Sequence, residues 1–146
     1  MNQDQILTKL PYTKPFLFVD ELISISENTV EGKYTFTEDS YFYQGHFENN
    51  PVTPGVILVE CMAQIGVVCL GIYLLGEATE IAETEPKIAL SSHQMDFYKP
   101  VFPNETVTVI SEKEYFRFHK LKCSVKMLNE TGALVAKGSI CGMLKV

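Results

Sequence analysis

A run of apolar residues at positions 56–75 constrains the fold of this 146-residue chain more than any other feature. Its only strongly polar members are Glu60 and Gln64, and the pair Pro54-Gly55 comes directly before it. Because the run is apolar on nearly every side, it is typical of a helix that is buried in a protein core. We therefore predict a long central helix that begins near Val56.

A membrane span is the alternative for this run, since about 20 apolar residues are enough to cross a bilayer. The carboxylate of Glu60 would be costly in lipid, and no basic residues flank the run to fix an orientation. The rest of the chain alternates like the strands of a soluble sheet. We therefore expect a core helix and no membrane span.

The length and charge of the chain narrow its class. A chain of this size with 46% hydrophobic residues fits one domain, residues 1–146, with a sizeable core. The net charge of −6 and the scattered lysines give no basic stripe for DNA or RNA. The polar, acidic start of the chain does not look like a secretory signal, so we expect a cytoplasmic protein.

The four cysteines form no Cys-x-x-Cys pair. Cys61 and Cys69 would lie about 12 Å apart along one helix, too far to bridge each other. We therefore expect Cys61, Cys69, Cys123 and Cys141 to be small buried thiols, without a disulfide framework or a metal site.

The remaining segments predict one short helix and several strands. The helix covers residues 4–10, and residues 38–50 and 76–86 are a loop and a surface connection. Strands are predicted at residues 16–20 with 22–25, 29–36, 87–98, 106–118, 121–128 and 133–146. This order predicts an α+β fold in which an antiparallel sheet wraps the helix. Because one sheet face cannot cover such an apolar helix, we also expect a dimer.

Two titratable groups flank the predicted start of the central helix. His46 lies in the loop motif Gly45-His46-Phe47, and Glu60 lies about one turn inside the helix. Histidine exchanges protons near neutral pH, whereas burial tends to raise the pKa of a carboxyl group. The helix N-terminus at Gly55 offers free N–H groups to developing negative charge. These features indicate acid–base chemistry on a carbanion or an oxyanion.

Several motifs resemble the hot-dog-fold 3-hydroxyacyl-[acyl-carrier-protein] dehydratases of fatty-acid synthesis, especially the FabZ type. The matching stretches are Leu10-Pro11, Pro15-Phe16-Leu17-Phe18-Val19-Asp20, Gln44-Gly45-His46-Phe47, Pro51-Val52-Thr53-Pro54-Gly55-Val56, Glu60-Cys61-Met62-Ala63-Gln64 and Phe97-Tyr98-Lys99-Pro100-Val101-Phe102-Pro103. The block from Gly45 to Gln64 is specific because all its functional residues keep their spacing. The tail beyond residue 103 matches only in its strand pattern.

The resemblance implies dehydration of a (3R)-3-hydroxyacyl thioester, carried by acyl carrier protein, to a trans-2-enoyl thioester. His46 would take the C2 proton, and the Gly55 N–H would polarise the thioester carbonyl. Glu60 would assist departure of the C3 hydroxyl as an acid, with Gln64 orienting its carboxyl group. An apolar tunnel would hold the acyl tail.

The resemblance also implies an assembly. It predicts a homodimer or a trimer of dimers, in which His46 of one protomer faces Glu60 of its partner, and no metal or organic cofactor. The chain departs from the family pattern at Pro11-Tyr12-Thr13 and at Pro103-Asn104-Glu105, which we expect to lie away from the chemistry. Glutamate at position 60 favours dehydration without isomerisation.

Other functions and roles stay open at this point. A hot-dog acyl thioesterase would use the carboxylate to activate water, and a non-catalytic acyl-binding partner subunit would keep the fold alone. Gly55 could serve only to relieve crowding at the helix entrance, and Gln64 could be a structural hydrogen-bonding residue. The pathway, which could be bulk fatty-acid, polyene or polyketide synthesis, and the acyl chain length are not determined by these motifs.

Overall fold

Six antiparallel strands form one sheet around a long helix in a computed structural model that describes residues 1–78 and 87–145. The strands are β1 (Glu21–Ile25), β2 (Thr29–Thr35), β3 (Lys87–Phe97), β4 (Thr106–Arg117), β5 (Lys120–Leu128) and β6 (Leu134–Lys145). Their order across the sheet is β1-β2-β4-β5-β6-β3. A short helix, α1 (Gln3–Thr8), precedes the sheet.

The central helix is continuous through α2 (Gly55–Ala63), a π-helical segment (Gln64–Cys69) and α3 (Leu70–Ala78). The part from Gly55 to Gly76 is long and apolar enough to cross a membrane, but 83% of its most apolar window is buried inside the protein. The predicted core helix is therefore confirmed. It continues past the predicted end at residue 75, and the rest of the predicted connection, residues 79–86, lies outside the described residues.

The helix and the sheet approach closely at the π-helical segment. Ser111 of β4 donates a hydrogen bond from its hydroxyl group to the Gly66 carbonyl oxygen at 2.8 Å. A Cβ placed on Gly66 would lie 3.0 Å from the Ser111 Cβ. Glycine therefore allows the helix to lie against the sheet at this point, which fixes the depth at which the helix sits.

The alternating patterns predicted most of the sheet. In β5 Leu121, Cys123, Val125 and Met127 are buried, and Ser124 and Lys126 between them are exposed, as expected. The bounds of β2 to β6 agree with the predicted ones or differ by one residue, apart from residue 146, which lies outside the described residues. All four cysteines are free and buried, so the prediction of buried thiols is confirmed.

The predicted strand at residues 16–20 is wrong, because its backbone is bonded to the central helix. The Phe18 N–H donates to Gln64 Oε1 at 2.8 Å, and the Phe16 carbonyl accepts from Gln64 Nε2 at 3.1 Å. Sheet pairing starts only where the Asp20 N–H donates to the Lys33 carbonyl. Apolar composition alone could not distinguish a strand from an extended segment whose backbone is hydrogen-bonded to a buried glutamine side chain.

One border of the sheet is formed by β3, which pairs only with β6 among the described strands. Most of its side chains are exposed, including Leu90 and Phe97, which are exposed by 49% and 48%. Val56 at the start of the central helix is 77% exposed. An unpaired strand edge next to exposed apolar side chains is a surface that suits another chain.

Candidate active site

His46 follows a 3₁₀ turn, Tyr41–Gln44, and is held by its own backbone. Its N–H donates to the Phe42 carbonyl at 3.1 Å, and its carbonyl accepts from the Val52 N–H at 2.9 Å. The half-buried ring stacks on Phe47, with the ring centroids 4.0 Å apart. These contacts fix the position of the imidazole on the loop.

The side-chain hydrogen bond of His46 fixes its tautomer. Its Nδ1 atom lies 2.9 Å from the Val52 carbonyl oxygen. Because a carbonyl oxygen only accepts hydrogen bonds, Nδ1 carries a proton, and in the neutral ring Nε2 therefore carries the lone pair. The ring therefore presents a proton acceptor at Nε2.

The helix entrance leaves two N–H groups at its first turn. Ile57 and Leu58 donate to the Pro54 carbonyl oxygen at 3.0 and 3.1 Å, so the N–H groups of Gly55 and Val56 precede the first helical hydrogen bonds. The Phe97 ring lies against Gly55, where an added Cβ would come within 3.3 Å of Phe97 Cζ. Crowding at this entrance, which the sequence left as one explanation for the glycine, is therefore real.

A buried hydrogen bond joins the His46 loop to the helix entrance. The hydroxyl groups of Tyr43 and Thr53 lie 2.6 Å apart, and the Thr53 N–H donates to the Val101 carbonyl at 2.8 Å. The sequence motifs did not predict this pair. A signal was present, since Thr53 is a polar residue directly before the Pro-Gly pair and needs a partner when buried.

Glu60 lies on α2 with its carboxyl group about half-buried. Burial raises its pKa from the ordinary value of 4.5, because the charged form loses hydration. The hydrogen bond from Gln64 Nε2 to Glu60 Oε2, at 2.9 Å, opposes that rise. Burial is the larger effect, so Glu60 retains its proton to higher pH than an ordinary glutamate.

Gln64 is fully buried and uses both ends of its amide group. Its nitrogen donates to Glu60 and to the Phe16 carbonyl, and its oxygen accepts from the Phe18 N–H. Gln64 therefore connects the carboxyl group of Glu60 to the segment that precedes β1. The contacts support both roles considered from the sequence: the bonds to Phe16 and Phe18 support a structural role, and the bond to Glu60 supports a positioning role.

Tyr12 lies beside Glu60, contrary to the expectation that Pro11-Tyr12-Thr13 is remote from the chemistry. The two side chains line one cavity. Burial raises the pKa of the Tyr12 hydroxyl to about 12, with a further contribution from the negative charge of Glu60. The sequence could not reveal this proximity, because the two residues are distant in the chain and only the fold brings them together.

The cavity next to Glu60 is small and mostly apolar. Its volume is about 30 Å³, roughly the space of one water molecule. The lining residues come from the central helix, β3, β6 and the segment after α1: Tyr12, Glu60, Ala63, Val67, Val68, Ile88, Leu90, Ile140, Cys141 and Gly142. One chain by itself therefore encloses only a short apolar space beside the carboxyl group.

His46 and Glu60 are not bonded to each other within one chain. Among the hydrogen bonds of residues 1–78 and 87–145, the His46 ring contacts Val52 and the Glu60 carboxylate contacts Gln64. Within the same residues, no group of three or more histidine, cysteine, aspartate or glutamate side chains is arranged to hold a metal ion. The oriented imidazole of His46, the raised pKa of Glu60 and the N–H groups at the helix entrance together support proton-transfer chemistry.

Comparison with known proteins covers almost the whole chain. Residues 10–136 match the FabA-like domain family. A 3-hydroxyacyl-[acyl-carrier-protein] dehydratase FabZ from Ehrlichia canis is 32% identical over 149 aligned residues, which cover 99% of this chain and 95% of that protein. The FabZ dehydratase from Caldicellulosiruptor bescii is 38% identical over 112 residues, 76% of each chain.

Solved structures agree on the fold. A chain of the dehydratase heterocomplex ApeI:P from Xenorhabdus doucetiae superposes with a TM-score of 0.80 at 14% identity, covering 97% of this chain and 91% of that one. A hypothetical thioesterase with coenzyme A from Streptococcus pneumoniae superposes with a TM-score of 0.60 at 12% identity, covering 86% and 84%. With its antiparallel sheet around one long helix, the chain has the hot-dog fold, and it belongs to the FabA-like family, among the FabZ-type 3-hydroxyacyl-[acyl-carrier-protein] dehydratases.

Proposed function

We propose that this protein removes water from a (3R)-3-hydroxyacyl thioester on acyl carrier protein and releases the trans-2-enoyl thioester. The observation that carries the proposal is the presence of an oriented imidazole and a carboxyl group of raised pKa in a dehydratase-like chain. In its neutral form His46 presents the lone pair of Nε2, and Glu60 is a carboxyl group whose pKa is raised by burial. Elimination needs both a base and an acid of this kind.

His46 is the base in this mechanism. Its Nε2 accepts the C2 proton of the substrate, and the hydrogen bond from Nδ1 to the Val52 carbonyl stabilises the imidazolium that forms. Negative charge then develops on the thioester oxygen.

Gly55 is placed to stabilise that charge. Its N–H is not used by the first helical hydrogen bonds, and the positive end of the helix dipole favours an anion at the same point. A hydrogen bond from this N–H to the thioester oxygen would lower the energy of the enolate-like transition state.

Glu60 is the acid. As the C2–C3 double bond forms, the C3–O bond breaks, and the hydroxyl group leaves as water with the Glu60 proton. Gln64 holds the carboxyl group through its 2.9 Å hydrogen bond and is a positioning residue. The proton taken by His46 then returns to Glu60 through solvent, which restores both groups without a metal ion or an organic cofactor.

A homodimer completes the site in this proposal, so that His46 of one protomer faces Glu60 of its partner. Three features support it: the two side chains are not bonded within one chain, β3 presents an exposed edge, and a cavity of about 30 Å³ is too small for an acyl tail. The exposed side chains of Val56, Leu90 and Phe97 would be covered by the second copy. Assembly into a trimer of dimers is the further step that the family implies.

The proposal is tested by incubating the purified protein with 3-hydroxyacyl thioesters of acyl carrier protein and measuring the products by mass spectrometry. Loss of water, with the thioester intact, is the expected result. Release of free acid would instead identify a thioesterase, and an unchanged but bound substrate would identify an acyl-binding subunit. The same thioesters on coenzyme A show whether the carrier protein is required.

A further inference from the structure

The cavity beside Glu60 continues along one face of the central helix. Ala63, Val67 and Gly71 form a row that follows Glu60 along the helix, and Gly71 at its end lies against Ile88. Ala63 and Val67 are buried and line the cavity.

Ile88 of β3 closes the row. A Cβ placed on Gly71 would collide with Ile88 Cδ1, and a Cβ placed on Gly142 of β6 would lie 2.9 Å from Ile88 Cγ2. The side chain of Ile88 is only 8% exposed. Ile88 therefore fills the space between a glycine of the helix and a glycine of the sheet, and it also forms part of the cavity wall.

We propose that Ile88 sets the length of the acyl chain that the enzyme accepts, and that the wild-type protein prefers short 3-hydroxyacyl tails. This inference rests on the proposed dehydratase function. With the thioester at Gly55 of one protomer and the C3 hydroxyl at Glu60 of its partner, the tail would extend along Ala63 and Val67 of the partner's helix and end at Ile88 of the same partner chain. A pocket that lacks room for one further methylene lowers the specificity constant by about tenfold or more.

A smaller side chain at position 88 would lengthen the cavity. Glycines at positions 71 and 142 have no side chains that could move into the volume left by a smaller residue. Leu90 also lines the cavity, but it is 49% exposed in one chain and would contact the second copy in the proposed homodimer. Shortening Ile88 should therefore extend the cavity along the helix, where a longer tail would need to go.

The test compares the wild type with Ile88→Ala on 3-hydroxybutyryl, 3-hydroxyhexanoyl, 3-hydroxyoctanoyl and 3-hydroxydecanoyl carrier-protein thioesters in one competition assay. The wild type should favour the two shorter substrates over the decanoyl one by at least about tenfold, and Ile88→Ala should reduce or reverse that ratio by about tenfold. Ile110→Ala is the matched control, because it makes the same change on a half-buried residue of β4 outside this cavity.

Two further variants keep the test decisive if Ile88→Ala fails to fold. Ile88→Val removes only the Cδ1 atom and should shift the preference in the same direction by a smaller factor. Gly71→Ala combined with Ile88→Ala returns a methyl group to the emptied space and should restore the preference for short tails. No shift in the Ile88 variants, with the wild type active, would overturn the role of Ile88, whereas a wild type that dehydrates no substrate would overturn the dehydratase function itself.

Discussion

The imidazole Nδ1 of His46 and the carbonyl oxygen of Val52 lie 2.9 Å apart, so the backbone beside the helix entrance holds the histidine in one tautomer. This contact connects the loop geometry to the proposed chemistry. It holds the neutral ring in the tautomer with the proton on Nδ1 and the lone pair on Nε2, and it fixes the direction of the ring.

Replacing His46 with alanine should lower kcat for dehydration by about a hundredfold or more, because general-base catalysis contributes roughly that factor. The measurement is initial rate of enoyl thioester formation, with circular dichroism to confirm folding. His119→Asn is the matched control: His119 is exposed and has φ 61°, a conformation that asparagine tolerates. Near-normal activity of His46→Ala would remove His46 from the mechanism.

Replacing Glu60 with glutamine should lower kcat for dehydration by a factor similar to that for His46→Ala, while the fold is preserved. Glutamine has nearly the same shape, and its side-chain oxygen can still accept the hydrogen bond from Gln64, but it cannot donate an acidic proton. Substrate binding, measured with an unreactive acyl carrier protein analogue, should persist. Glu27→Gln in the exposed β1–β2 turn is the control, and a Glu60→Gln enzyme that still turns over would exclude the carboxyl group as the acid.

The Glu60→Gln variant should also change how stability depends on pH. Burial holds the pKa of Glu60 above its ordinary value of 4.5. As pH rises from near that value through the raised folded-state pKa, the folded protein holds a proton that the unfolded chain has released, and the wild type loses stability. Thermal unfolding of the two proteins at several pH values should therefore show the Tm difference moving in favour of the variant as pH rises. A difference that stays constant would contradict the raised pKa.

Replacing Gln64 with leucine should affect both stability and the pH profile. The Phe18 N–H and the Phe16 carbonyl would lose their partners, at a cost of about 1–3 kcal/mol for a buried group. The pKa of Glu60 would rise further, since the Gln64 hydrogen bond lowers it. The alkaline limit of the kcat profile should then move to higher pH, and a profile that does not move would leave Gln64 with a structural role only.

Replacing Gly55 with alanine should reduce activity, because the new Cβ would lie 3.3 Å from Phe97 Cζ and displace the helix entrance. A shift of the first N–H groups weakens their hydrogen bond to the thioester oxygen, and we expect a loss of about tenfold or more in kcat. Phe97→Leu should partly rescue Gly55→Ala by giving the methyl group room. Failure of this rescue, with Phe97→Leu alone active, would show that crowding by Phe97 is not the cause.

Residue patterns predicted the elements in which burial either alternates or stays constant along the chain. Alternation predicted β5, and uniform apolarity predicted the central helix, because each pattern repeats with the period of its structure. Residues 16–20 failed because an extended apolar segment looks the same whether its backbone pairs with a strand or with a glutamine side chain. Only the tertiary contact decides between the two.

The candidate site also contains residues that the sequence predicted and residues that only the tertiary contacts reveal. Motif spacing singled out His46, Gly55, Glu60 and Gln64. It gave no indication of Tyr12 beside Glu60 or of the Tyr43–Thr53 bond, which depend on distances between segments. The raised pKa of Glu60 was expected from its apolar neighbours, since burial of a carboxyl group follows from the composition of the helix around it.

Gln64 makes three hydrogen bonds, so its loss would affect the protein differently from the loss of Glu60. Loss of His46 or Glu60 would stop the chemistry and leave the backbone contacts of the fold in place, whereas loss of Gln64 would also release the segment before β1. A descendant of this chain that abandons catalysis and survives as a carrier or an assembly subunit would therefore keep the glutamine longer than the acid. A glutamine in an apolar helix that still bonds extended residues such as 16–18, but has lost the acid beside it, would then indicate descent from an enzyme.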